Sequence, residues 1–250
     1  MTNQVITPAT SGQLVAIGFK IAGTITRVLG DSGKLSFESA NHFVLSPDHE
    51  VEKLTENFCK EIFGIEIDPW IEEKRRIEVF YKKFFSRTID WSKIVLPAWN
   101  EKMKRLEYIF TDITEDQYFE AYAKKFGNNA VWKYYDNIAE SIKEQQVRPT
   151  SDYATCHVGG DEPDLLNKSY DDGINENIKF MIPKEGIISA FRYRTETNKM
   201  YDVKGLTRFA ALDSVGGAMS MSRNNDGQFD VSYDYRDYRY PDHGLRQVDF

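Results

Sequence analysis

The chain has 250 residues, enough to bury a sizeable core without disulfides or a metal staple. Its 32 Lys and Arg stand against 39 Asp and Glu, a net charge of -7 that argues against a general polyanion binder, so nucleic acid is not an expected partner. Two cysteines, Cys59 and Cys156, exclude a disulfide scaffold and a zinc site built on CxxC pairs, and they fit a reduced compartment.

A mean hydropathy of -0.54 describes a soluble chain. The apolar run Leu14–Phe19 is too short to cross a bilayer, and no signal peptide or transmembrane segment is visible. The expectation is a cytoplasmic protein or a component of an assembled particle, with no membrane partner and no cofactor. Texture divides the chain into an N-terminal arm and β-hairpin over 1–46, a helical region over 47–149 and a β-rich region over 150–250. Acidic side chains accumulate toward the C-terminal end.

After a polar tail through Gly12, Leu14–Leu29 is rich in Val, Ile, Thr and Phe, the mixture a pleated surface favours. Gly30-Asp31-Ser32-Gly33 supplies a reversal, and Leu35, Phe37 and Phe43-Val44-Leu45 return as a second strand. Gly33-Lys34 also occurs at the end of a phosphate loop. Here, however, Val28 and Leu35 occupy the positions of that motif's first glycine and its hydroxyl residue, so the segment reads as a turn.

Ser46-Pro47 opens a first helix carrying Val51, Leu54, Phe58 and Ile62, closed by Gly64. Asp68-Pro69 repeats that signal ahead of a stripe of Trp70, Ile77, Phe80, Tyr81 and Phe84, with Glu72–Arg76 on the solvated faces. Trp99, Met103, Leu106 and Phe110 have the spacing of a third helix. Thr114-Glu115-Asp116-Gln117 has the form of a capping box opening a fourth helix through Phe126, ended by Gly127. Val131, Tyr134 or Tyr135, Ile138 and Ile142 mark a fifth that stops before Pro149. Five successive helices imply a bundle.

Beyond 150, turn clusters at Asp171-Asp172-Gly173, Pro183, Thr197-Asn198, Gly216-Gly217 and Asn224–Gly227 separate β-prone runs. Ile187–Tyr193 and Met200–Phe209 read as strands, Ala218–Ser222 and Phe229–Tyr235 as a hairpin, and Leu245–Phe250 as a last edge strand. The fold class is therefore α+β: an N-terminal β-hairpin, a central helical bundle and a C-terminal antiparallel β region.

Three patterns bear on chemistry. Cys156-His157-Val158-Gly159-Gly160-Asp161-Glu162 resembles the His-x-Gly-Gly-Asp-Glu segment of the β-hexosaminidase family, retaining glycosidases built on a TIM barrel. The resemblance covers six residues. It implies that Asp161 orients a substrate acetamido group and Glu162 protonates the leaving oxygen, with His157 beside them, because neighbouring carboxylates held at different pKa values can share that work. The same segment also reads as a Gly-rich loop between the helical and β halves. His157, Asp161 and Glu162 could join Asp242 and His243 around a metal if their two loops were neighbours, whereas His42 and His49 read as caps or surface groups. Ser222, Asn224, Asp226 and Gly227 partly mimic a calcium loop, but Tyr233 stands where its bidentate Glu is required.

The tail Tyr233-Asp234-Tyr235-Arg236-Asp237-Tyr238-Arg239-Tyr240 is the densest aromatic segment. On a pleated strand its rings and charges would occupy opposite faces. Tyr and Arg are enriched at interface hot spots, and the balanced charges suit a protein surface better than a phosphate backbone. With Phe250 at the end of the last strand, these residues form the expected interface. The leading reading is a non-enzymatic, self-associating assembly subunit of a particle or appendage, a viral one included, with copies of itself or other subunits as partners. The alternatives are a glycosidase-like hydrolase using Asp161 and Glu162, and a small-ligand binding module.

Overall fold

The computed structural model describes residues 68–250; the expected N-terminal hairpin and the helix from Ser46 lie outside the described residues. The Asp68 carboxylate accepts the Trp70 amide at 2.8 Å, and α1 (Ile71–Phe85) follows with Ile77, Phe80 and Tyr81 buried, as the apolar stripe predicts. Ser86, in the left-handed conformation, ends it.

The expected third helix is replaced by a strand, β1 (Arg105–Ile109). Trp99, Met103, Leu106 and Phe110 have helical spacing, but Leu106, Tyr108 and Phe110 also alternate with period two, and the Tyr-Ile-Phe-Thr composition favours the extended form. Its partner β4 (Tyr153–His157) is antiparallel, with Leu106 opposite Cys156 and Ile109 opposite Tyr153. All of β4 is buried, and β1 is buried from Leu106 to Ile109.

The capping box holds as read. In α2 (Glu115–Phe126) the Gln117 amide donates to Thr114 Oγ1 at 3.2 Å and the Thr114 amide donates to Gln117 Oε1 at 2.8 Å, and Gly127 at φ +97° ends the helix. The expected fifth helix breaks into β2 (Val131–Lys133), a single turn α3 (Ile138–Ser141) and β3 (Ile142–Gln145). Val131-Trp132-Lys133 pairs its backbone with a distant strand instead of within a helix, and Asn137 caps a new turn at α3. A central helical bundle is thus absent among the described residues, because strands interleave the helices of this region.

Next come β5 (Leu165–Leu166), α4 (Tyr170–Asn175) and α5 (Pro183–Thr197). Helix α5 overturns the expected strand at Ile187–Tyr193. Pro183 sits at its first turn, Glu185 accepts the Ile182 amide at 2.9 Å, and Ile187, Ile188, Ala190 and Phe191 are buried all round. A short apolar run of this kind has no period that separates a buried helix from a buried strand.

The main sheet has the order β2-β8-β7-β6-β9-β5, with β6 (Leu206–Asp213), β7 (Ala218–Arg223), β8 (Phe229–Asp234) and β9 (His243–Leu245). The β7–β8 hairpin about Asn224–Gly227 forms as predicted, and β6–β7–β8 run antiparallel. The sheet as a whole is mixed, since β2 joins β8 and β9 joins β6 in parallel. Its β9 is no edge strand: it lies between β6 and β5, and the chain after it bridges to Phe180 through Gln247 and to Cys156 through Asp249. One sheet face packs Phe209, Met219, Met221, Phe229 and Val231 into a core with α1, α2 and α5; the other packs Ala210, Leu212, Ala218 and Leu245 against Tyr170, Phe180 and Ile182. The architecture is α+β, and among the described residues no helix is long and apolar enough to cross a membrane.

Candidate functional site

Strand β8 ends at Asp234, so the pleated alternation expected through Tyr240 stops there, and residues 235–242 form an irregular connection to β9. Asp234 turns inward, where its carboxylate pairs with Arg208 and lies 2.9 Å from His243 Nδ1. The two arginines of the tail hold the connection down. Arg236 donates to Asp171 from Nε at 2.9 Å and Nη2 at 2.6 Å, and Arg239 donates to both oxygens of Asp172. These aspartates occupy the first turn of α4, where the helix dipole favours negative charge, and Arg239 pulls the Asp172 carboxyl well below the usual range.

Tethering Arg236 and Arg239 leaves the rings outside. Tyr235 is 63% and Tyr238 54% exposed, with Tyr233 and Tyr240 also exposed. Tyr238 lies 5.3 Å from Tyr235 and 6.0 Å from Tyr240 between ring centroids, the second pair only 15° from parallel. Tyr233 meets Tyr134 edge-on at 4.9 Å. The result is a platform of large amphipathic rings on a loop anchored at both arginines. Phe250 is not part of it: its ring is half-buried beneath Lys179 and Arg148 and faces Tyr153.

His157, Asp161 and Glu162 separate in space according to burial. His157 ends β4 with its ring fully buried, whereas Asp161 and Glu162 lie on the turn that follows, Asp161 paired with Lys204 at 2.8 Å and Glu162 exposed. Gly159 and Gly160, at φ +69° and +112°, make that reversal. The loops carrying Asp161 and Asp242 are neighbours: the Lys204 amide donates to the Asp161 carbonyl and the Leu206 amide to the Asp242 carbonyl. Even so, among the described residues no group of three His, Cys, Asp or Glu side chains is placed to hold a metal ion. The calcium-like segment is a hairpin turn, closed by Gly227 N–H to the Asn224 carbonyl at 2.9 Å.

A buried cluster of charged side chains was not visible in the sequence. Glu107 on β1 receives Arg192 Nη1 at 2.8 Å, and Arg192 also donates to Glu196 at 2.8 Å and Glu73 at 3.3 Å. Burial alone would push the Glu107 carboxyl up, but Arg192 and the adjoining His157 outweigh it and bring it to about 2. Burial also lowers the His157 pKa, so its ring is neutral at pH 7. Ser189 Oγ at 3.1 Å and Glu107 Oε1 at 3.4 Å both approach the same ring atom, Nε2, while Nδ1 meets the Tyr201 hydroxyl at 3.3 Å. A nucleophile–base–acid relay instead places the base between its partners through two different nitrogens and opens the nucleophile to substrate. With Ser189, His157 and Glu107 all closed to solvent, the cluster joins β1, β4 and α5 as a structural network. Its only sequence trace is a single charge inside each of two apolar runs, Glu107 after Leu106 and Arg192 after Phe191.

Set against known protein families, curated proteins and solved structures, the chain has no match. Function is therefore argued from the site alone.

Proposed function

We propose that this chain is a non-enzymatic assembly subunit that associates with further copies of itself through the tyrosine platform between β8 and β9. The observation that carries the reading is that Tyr235 and Tyr238 project into solvent from a connection held by two arginine–aspartate pairs. A platform ordered in advance loses little freedom on docking, and Tyr contributes large contact area with few rotatable bonds. Arg236 and Arg239 act in this reading by positioning the loop, while the rings of Tyr233, Tyr235, Tyr238 and Tyr240 make the contact.

Light scattering on the full chain over a range of concentrations tests it. The expected result is a mass above the monomer that grows with concentration and returns to the monomer in the Tyr235→Ala/Tyr238→Ala variant, with unchanged circular dichroism. A strict monomer at high concentration, indifferent to those substitutions, overturns the reading.

A further inference from the structure

At the other rim of the sheet, β2 is the outermost of the described strands, and its parallel register sets Trp132 directly opposite Asp230 of β8, which in turn stands opposite Ser222 of β7. Residues in register across neighbouring strands share a face, so ring, carboxyl and hydroxyl form one row across the sheet. Trp132 is 44% exposed, and Tyr134 adds a second exposed ring 6.5 Å away between centroids.

Asp230 is the unbalanced member of this row. It is partly buried, its Oδ1 is closed to solvent without a hydrogen-bond partner, and among the described residues no Lys, Arg or His pairs with it. Lys133, the next residue of β2, is committed elsewhere: its ammonium donates to Asp116 and to the Asp136 carbonyl, each at 2.8 Å, and lies over the Phe119 ring. Burial raises the Asp230 carboxyl to about 6, with the Ser232 hydroxyl opposing, so at neutral pH it is ionised without a counter-charge among the described residues. Two fully buried carboxylates, Glu107 and Asp202, have theirs in Arg192 and Arg246.

We infer that Trp132 and Asp230 form a binding site for an alkylated ammonium group. The indole face attracts a cation through its quadrupole and meets the alkyl substituents with apolar surface, while the carboxylate supplies the opposite charge. A bare metal ion does not suit the row, because one carboxylate and two hydroxyls fall short of the oxygen donors a hard cation collects. A neutral sugar could stack on the ring but leaves the Asp230 charge uncompensated. A free choline-like molecule and a methylated lysine of another protein both carry such a group and present the same chemistry to the site.

The test follows the Trp132 indole N–H resonance of the full-length, nitrogen-15-labelled chain, assigned through Trp132→Phe. Choline and a short peptide containing trimethyl-lysine are titrated in separate arms, beside 3,3-dimethylbutanol, the uncharged isostere of choline, and glucose. The expected result is a saturable shift with at least one of the two cations, at least tenfold weaker binding of the alcohol, and at least tenfold weaker cation binding by Asp230→Asn. The stronger of the two cation arms identifies the source. Asp230→Asn, which removes an uncompensated charge, is expected to melt higher than the parent at neutral pH. No saturable shift with either cation, equal binding of the alcohol, a response to glucose alone, undiminished cation binding by Asp230→Asn, or a lower melting temperature for that variant overturns the inference.

Discussion

Glu107 and Arg192 are both completely buried, and each answers the other's charge. Desolvating either ion costs several kcal/mol, recovered only while every donor and acceptor is engaged. Arg192 meets that condition with Glu107, Glu196, Glu73 and the Leu106 carbonyl, and His157 stays neutral beside them. Glu107→Gln keeps the shape and removes the charge, and it is expected to lower unfolding stability by about 3 kcal/mol in urea titrations. Replacing Glu107 and Arg192 together by Leu should recover part of that loss. Neither residue was legible as a core group, because a lone Glu or Arg in a strand or helix reads as solvent-facing until its partner, distant in the chain, is known. Asp161 and Glu162 illustrate the converse: a compact, chemistry-like string in the sequence unfolds into one buried ring and two surface carboxylates, since Gly159 and Gly160 turn the chain outward after β4.

Among the elements, α5 depends most on its surroundings. Gly186 brings it against the sheet: a Cβ at that position would stand 2.2 Å from Phe209 Cε1 and 3.1 Å from Met221 Sδ. Alanine improves helix propensity by about 1 kcal/mol, yet crowding a packed ring costs about 1–3 kcal/mol, and at 2.2 Å the clash prevails. Gly186→Ala is therefore expected to lose about 1–2 kcal/mol in chemical denaturation, with Phe209→Leu restoring part of it. The same closeness explains why Ile187–Tyr193 reads as a strand: a helix buried on every side has no polar face to reveal its period. By contrast α1 and α2 each leave one face exposed and the β7–β8 turn lies at the surface, and their stripes, caps and Asp-Gly turn are all local signals.

At the scale of the described residues as a whole, the segment after β9 does the joining. Cys156 and Asp249 exchange backbone hydrogen bonds at 2.9 and 3.1 Å, the Val248 amide donates to the Lys179 carbonyl at 3.0 Å, and Met181 donates to the Arg246 carbonyl at 3.0 Å. This short run thus ties the β1–β4 ribbon and the entry to α5 onto the main sheet, with Val248 buried in the core they share. Val248→Asp places an unpaired carboxylate there and is expected to cost at least about 3 kcal/mol. Denaturation followed by tryptophan fluorescence and by circular dichroism should show both signals shifting together. A change confined to one signal would mean that the ribbon and the sheet unfold independently. The residues involved read in the sequence as an edge strand free to extend; their bridges to Phe180 and Cys156 remove that freedom.

The α+β class, the two capped helices and the hairpin belong to local chemistry, for their signals act between residues a few positions apart. The strand identities of β1 and β2, the helix at α5, the buried charge network and the pairing of Trp132 with Asp230 depend on partners far along the chain. Hydrogen-bond ladders and desolvation energies come from those partners, and only the tertiary structure supplies them.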